Sequence, residues 1–325
     1  MKARGDLALV GDVGGTNARF ALAELNANPP EIRDIKILHS HDYPRAADAV
    51  KAYLDGAAER PAVAVIAVAG PVTAGAVRFT NLHWSLSERE LLGLGFAKAR
   101  LLNDFLALAL AIPLLEPKDM RKIGPDIAGE KGMPIAAIGP GTGFGAALLL
   151  PAQSGLPVAV ATEGGHASLA PDDDVEIEIL KFLSREFGHV SLERVLSGPG
   201  LINLHRALAA IEGRAPENVE APEITSGALA GEEPYLATVR RFAAMLGAAA
   251  GNFALAFGAQ GGIYIAGGIA PSILPLLESG AFRARFEDKG RFRSYLAAIP
   301  TAVVVHTDLA FLGAASVARS LTKGA

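Results

Sequence analysis

Short apolar runs bounded by glycine turns alternate along the chain with segments whose apolar residues recur every three or four positions, a pattern that predicts an α/β protein. Residues 7 to 25 read as two β-runs, Leu-Ala-Leu-Val and Ala-Arg-Phe-Ala-Leu-Ala, around a turn holding Gly14 and Gly15. A third run near residues 35 to 38 is followed by a helix from about 46 to 58. Residues 62 to 69 form an unbroken Val/Ile/Ala run, the pattern of a strand buried on both faces. Ser87 with Glu90 three residues on makes a capping box for a short helix, after which residues 99 to 102 return to strand and deliver Asn103 and Asp104 at its end.

From Pro134 the opening move is repeated: a run at 135 to 138, the turn Gly139-Pro140-Gly141-Thr142-Gly143-Phe144-Gly145, and a run at 146 to 150. Laying Gly11 on Gly139 puts Gly15 on Gly143 and Phe20 on Leu148, which suggests a duplication. Residues 172 to 213 read as helical with a break at Ser197-Gly198-Pro199-Gly200. Residues 233 to 257 carry Leu236, Val239, Ala243, Leu246, Ala250, Phe253 and Phe257 at the spacing of a long packed helix. A strand at 262 to 265 ending on Gly267-Gly268, a strand at 302 to 305 and a helix at 309 to 321 close the chain. That last helix is expected to return to the first lobe.

Length and composition narrow the class. At 325 residues the chain is about twice a usual ~150-residue domain, so two lobes are expected. Half the residues are hydrophobic and 20% charged, enough apolar surface for burial. The net charge of -4 comes without clustered Lys or Arg, which gives no support to nucleic-acid or membrane-surface binding. With no cysteine, disulfides, thiolate nucleophiles and Cys-based metal sites are excluded. The early apolar run is broken by Gly11 and Asp12 before it could serve as a signal peptide, so cytoplasmic residence is expected. Residues 105 to 115 are too few to span a bilayer, and 243 to 270 are interrupted by Asn252 and Gln260.

Three glycine segments carry candidate chemistry. Gly11-Asp12-Val13-Gly14-Gly15-Thr16-Asn17 places a carboxylate beside a turn whose backbone N–H groups can approach phosphate oxygens, and Asp12 can hold Mg2+ through water. It lacks G-K-[ST] and enters a strand rather than a helix, which disfavours the P-loop and Rossmann readings. Gly141, Thr142 and Gly143 suit a second phosphate clamp, and Gly267-Gly268 would let a flat ring approach the backbone. Each segment taken alone fits an ordinary turn about as well. Two phosphate loops in one chain are more informative than either, because a nucleoside triphosphate bound between lobes needs donors from both.

These segments resemble the phosphate and adenosine motifs of bacterial glucokinases, members of the hexokinase and actin-like ATPase superfamily, and the likeness runs essentially end to end. Leu102-Asn103-Asp104-Phe105, Thr162-Glu163-Gly164-Gly165-His166 and Glu193-Arg194-Val195-Leu196-Ser197-Gly198-Pro199-Gly200 sharpen it. The resemblance implies a two-lobed actin-like ATPase (ribonuclease H-like) α/β fold with a central cleft. Its small domain would comprise residues 1–114 plus about 307–325, and its large domain residues 115–306. It also implies an ATP- and Mg2+-dependent glucokinase of glycolysis that phosphorylates the 6-hydroxyl of D-glucose. Asp104 would be the catalytic base, Asn103, Glu163, His166 and Glu193 would hold the sugar, and a homodimer is expected.

Without the resemblance, other roles fit these residues. A helix cap accounts for Asn103 and Asp104, a hydrogen-bonded structural histidine for His166, and a helix-dipole charge for Glu193. Asp172-Asp173-Asp174 is better explained by a helix start than by an ion site. A sister group, the ROK family, carries a cysteine-rich zinc motif after a similar Gly-His, so structural zinc and a repressor role are not expected here. The rival functions are a kinase for another hexose, a nonenzymatic ATP- or sugar-binding regulator, and an actin-like ATPase doing conformational work.

Overall fold

The structure is a computed structural model that describes residues 4–79, 82–152, 157–215 and 218–323. The chain forms two compact units, the first comprising Met1–Glu116, Ala152–Ala161 and His306–Ala325, the second Pro117–Pro151 and Thr162–Val305.

The first unit is built on a five-stranded sheet. Along the chain come β1 (Arg4–Val13), β2 (Asn17–Glu24), β3 (Glu31–His39), α1 (Ala46–Asp55), β4 (Pro61–Val68), β5 (Ala76–Arg78), β6 (Ser85–Ser87), α2 (Glu88–Gly93), β7 (Lys98–Asn103) and α3 (Asp104–Ala111). The sheet order is β3-β2-β1-β4-β7, with β1 antiparallel to β2 and parallel to β4, and β4 parallel to β7. The period of two divides β1 between faces. Leu7 and Leu9 join Phe20, Leu22 and Ile66 against Val50 and Tyr53 of α1, while Ala8 and Val10 join Ala21, Val65 and Ala67 on the opposite side.

That second face is covered by the C-terminal helix, Leu309–Lys323, through Phe311, Ala314 and Ala318. Its small residues allow close approach: a Cβ at Gly313 would overlap the carbonyl of Ala107 in α3. The return of this helix thus fixes α3, and with it the segment that starts at Asp104. Ser87 caps α2 by accepting from the Glu90 N–H at 3.2 Å, and its hydroxyl donates to the Glu90 carboxylate.

The second unit contains β8 (Met120–Lys122), β9 (Ile135–Pro140), β10 (Phe144–Leu150), α4 (Asp174–Phe187), α5 (Gly198–Ile211), α6 (Ala221–Ala230), α7 (Tyr235–Phe257), β12 (Gly262–Ile265) and β13 (Thr301–Val304); of strand β11 (Val158–Thr162) only the last residue, Thr162, belongs to it. Four short helices, α8 (Ile269–Ser272), α9 (Leu274–Glu278), α10 (Ala281–Glu287) and α11 (Arg293–Ala297), lie between β12 and β13. β9 runs antiparallel to β10 and parallel to β12, which is in turn parallel to β13. The sheet buries Ile138, Phe144, Ile263 and Val303 in a core shared with Phe242, Leu246 and Phe253 of α7.

Two sequence expectations need correction. The hairpins repeat in topology but not in register: Gly11 pairs with Phe20, whereas Gly139 pairs with Gly145 rather than with Leu148. The second hairpin turns over fewer residues, so the glycine alignment holds along its first strand only. The helical run is broken, but earlier than 197–200: α4 ends at Phe187 and α5 begins at Gly198, so residues 197–200 mark a helix start. Ser197 accepts from the Gly200 N–H at 3.0 Å, and Pro199 sits in the first turn, where a missing N–H costs nothing. Among the described residues no helix is long and apolar enough to cross a membrane.

Candidate active site

Asp104 is the first residue of α3, directly after the end of β7. Its neighbour Asn103 does the capping: Asn103 Oδ1 accepts from the Leu106 N–H at 3.2 Å, and its Nδ2 donates to the Gly70 carbonyl at 3.4 Å. The helix-cap reading therefore holds for Asn103, whose amide is engaged at both ends. Asp104 Oδ1 accepts from the Phe105 N–H at 2.8 Å. That bond favours the charged carboxylate, yet burial outweighs it, and together with the nearby charge of Asp12 raises the Asp104 pKa to about 6.

Gly14, Gly15 and Thr16 form the turn between β1 and β2, and Asn17 opens β2. Gly11 stands apart from this turn, inside β1. A Cβ there would lie 3.0 Å from Ile66 Cγ2 and 3.1 Å from Phe20 Cδ1, so strand packing accounts for the glycine and places it off the loop. Asp12 is opposite Arg19 in the hairpin and 3.5 Å from its guanidinium. Burial raises the Asp12 pKa, Arg19 opposes the rise, and Asp308 adds to it.

Arg19 also pairs with Asp308 and lies over the Phe311 ring. Neither residue was singled out by sequence. The Asp12–Arg19 pair was readable, since a hairpin centred on Gly15 and Thr16 sets residue 12 opposite 19. Asp308 was not, because 289 residues separate it from Arg19.

No group of three or more His, Asp or Glu side chains suited to a metal occurs among the described residues. Mg2+ is commonly held by one or two carboxylates together with water and substrate phosphates. The Asp12 carboxylate is partly exposed, and with Asp308 it outnumbers the single guanidinium between them, so the local charge fits a cation held at Asp12 through water.

In the second unit, the backbone of Phe144 is a junction. Its N–H donates to Glu193 Oε2 at 2.9 Å, and its carbonyl lies where a Cβ at Gly165 would be. Glu193 sits in a single turn of 3-10 helix, Leu192–Arg194, and its carboxylate fills the space beside Gly143: a Cβ there would stand 2.5 Å from Oε2. A side chain at 143 would displace it.

The other end of this loop is held by the start of α5, where the Gly198 N–H donates to the Gly141 carbonyl at 2.8 Å. Gly141 has open space beside it and Thr142 is exposed. Glu163 precedes the turn Gly164–His166, and His166 is its last residue. Both are exposed, and neither side chain has a hydrogen-bond partner among the described residues. His166 is thus not a hydrogen-bonded core histidine.

Gly267 has φ +85 and presses on the Pro140 carbonyl, so packing on the second loop demands the glycine; Gly268 faces open space. Asp173 caps α4, and with Asp172 and the buried Glu176 it pairs with Arg241 and Arg285. The acidic run is accounted for by these ion pairs as well as by the helix start.

Comparison with known proteins gives a consistent picture. Residues 9–321 match the glucokinase family model. The glucokinase of Caulobacter sp. (strain K31) is 51% identical over 311 residues, covering 95% of this chain and 94% of that protein. The crystal structure of a glucokinase from an Antarctic psychrotroph superposes with a TM-score of 0.88 at 38% identity, covering 97% of this chain and 99% of that one. A ROK-family glucokinase from Streptomyces griseus, solved in complex with glucose and AMPPNP, shares the fold at a TM-score of 0.66 and 19% identity, over 97% of this chain and 99% of its own. With a family match across nearly its whole length and half its residues shared with a curated relative, this chain belongs to the glucokinase family.

Proposed function

We propose that the protein transfers the γ-phosphoryl group of ATP to the 6-hydroxyl of D-glucose, giving glucose 6-phosphate and ADP, with Asp104 as general base. The observation that carries this reading is the Asp104 carboxylate itself, partly buried at the start of α3 with its pKa raised to about 6. A base with that pKa is mostly ionised at neutral pH yet far more basic than an ordinary aspartate, which suits proton acceptance from a hydroxyl.

As the new O–P bond forms, the bond from the γ-phosphorus to the β,γ-bridging oxygen breaks and leaves ADP, while the hydroxyl O–H bond breaks and its proton passes to Asp104. Bound MgATP supplies the phosphoryl group, and the metal neutralises part of the phosphate charge. The chain's own work is alignment. Asp12 holds the cation through water; Gly14, Gly15, Thr16 and Asn17 form the first phosphate loop, with the N–H groups of Gly15 and Thr16 free to donate, and Gly141, Thr142 and Gly143 the second, with those of Thr142 and Gly143 free among the described residues, while Gly267-Gly268 borders the adenosine. Glu163, His166 and Glu193 accept and donate to the sugar hydroxyls, with Asn103 adding a contact from the cap of α3. Residence in the cytoplasm, a place in glycolysis and assembly as a homodimer belong to the same proposal and rest on the family resemblance.

A coupled ADP-release assay over a panel of sugars tests this. Glucose is expected to drive ADP release well above the sugar-free rate, and mannose, fructose and N-acetylated sugars to do so less well. ATP hydrolysis indifferent to every sugar would contradict the proposal.

A further inference from the structure

The segment that follows β3 contains a polar group that the proposed chemistry leaves unused. Ser40 is fully buried, at the start of a short 3-10 turn, Ser40–Asp42, beneath the loop between β1 and β2. Its backbone N–H donates to the Thr16 carbonyl at 2.9 Å, and its hydroxyl donates to the Gly14 carbonyl at 3.2 Å. Just before it, His39 Nδ1 is 3.1 Å from Asn17 Oδ1, and His39 pairs with Asn17 in the sheet. One residue therefore grips two carbonyls of the first glycine loop.

The consequence follows from peptide geometry. A trans peptide is planar, with its C=O and the following N–H directed oppositely. Tying down the Gly14 carbonyl turns the Gly15 N–H away from Ser40, and tying down the Thr16 carbonyl does the same for the Asn17 N–H. The Gly14 N–H closes the turn on the Asn17 carbonyl at 2.9 Å, while the N–H groups of Gly15 and Thr16 donate to no atom of the described residues. Successive free amides held in fixed planes make an anion-binding concavity.

We infer that Ser40 is a positioning residue for the nucleotide phosphates. Its hydroxyl sets the Gly14–Gly15 peptide plane before ligand arrives, so the loop binds phosphate without first ordering itself. The inference rests on the ATP-dependent reading above and adds to it a residue outside the glycine motif. Buried serines also fill space, so the test must separate aim from stability.

The experiment measures ADP binding with Mg2+ by calorimetry, and initial rates against MgATP and glucose, for the wild type, Ser40→Ala, Ser40→Cys and Ser40→Thr. Ser40→Ala keeps the backbone bond and removes only the hydroxyl. It is expected to weaken ADP binding and raise the KM for MgATP by about 10-fold, the effect of one lost hydrogen bond, with the KM for glucose within about twofold of wild type. Ser40→Cys, nearly isosteric with a weak donor, is expected to move the same way and provides the test if the alanine variant folds poorly. Ser40→Thr, which keeps the hydroxyl, is expected to recover most of the affinity.

ADP affinity unchanged in the alanine or cysteine variant overturns the inference. So does an equal loss for glucose and ADP, which would mark general loosening. A wild-type protein that binds no ADP would instead contradict the ATP-dependent reading itself.

Discussion

Glu193 Oε2 accepts a hydrogen bond from the Phe144 N–H at 2.9 Å, which ties a carboxylate proposed to hold sugar to the end of the second glycine loop. Its other oxygen has no partner among the described residues, so one side chain has one end in each task. Glu193→Ala is expected to raise the KM for glucose about 10- to 100-fold, the range for a lost charge-assisted hydrogen bond, and to raise the KM for MgATP as well because the Phe144 amide loses its acceptor. Glu193→Gln keeps an acceptor and should spare the MgATP KM more than the glucose KM. Initial-rate measurements varying each substrate check both; a glucose effect alone in Glu193→Ala would show that the loop does not depend on the carboxylate.

With Asp104 as the proposed base, its raised pKa is expected to set the acid limb of the pH profile. A base must be ionised, so kcat/KM for glucose should fall about tenfold per pH unit below about pH 6, where an ordinary aspartate would place the fall near pH 4. Rate measurements between pH 4.5 and 8 locate the limb, and a plateau held down to pH 5 would contradict the assignment.

The same shift makes Asp104 a stability cost. Its folded pKa lies above the unfolded value, so the folded state binds the proton more tightly, and this contribution to stability is present below about pH 4 and lost as pH rises through 6. The full shift corresponds to about 3 kcal/mol, and solvent access discounts it to about 1–2 kcal/mol. Asp104→Asn, which can still accept from Phe105, should therefore be more stable than wild type at pH 7.5 and no more stable at pH 4. Denaturant melts at the two pH values check the sign.

Gly313 allows the C-terminal helix to meet α3 at the Ala107 carbonyl. Gly313→Ala is expected to cost more than about 2 kcal/mol through overpacking and to lower turnover by shifting the helix that begins at Asp104. A melting curve and a kcat measured below the melting range test it; unchanged stability would show that the helices can part at no cost.

Much of this was legible in the sequence, for reasons that differ by residue. The buried strand β4 announced itself as a Val/Ile/Ala run, and α7 as a three- and four-residue stripe, because each obeys one local period. The cap at Asn103 was readable as a residue type, and the Asp12–Arg19 pair as a hairpin register. What composition alone could not give was long-range: Asp308 on Arg19, Glu193 on Phe144, and Gly165 against the Phe144 carbonyl each depend on chain segments brought together only by the fold. Packing by itself accounts for Gly11 and Gly267, and a glycine required by packing looks the same in sequence as one required by a ligand.

The most direct test of the central claim is the steady-state rate of Asp104→Asn at pH 7.5, alongside its glucose affinity. The account predicts a fall in kcat of at least about 100-fold, the scale of a lost general base, with glucose binding nearly unchanged. A variant that keeps most of its turnover would contradict it.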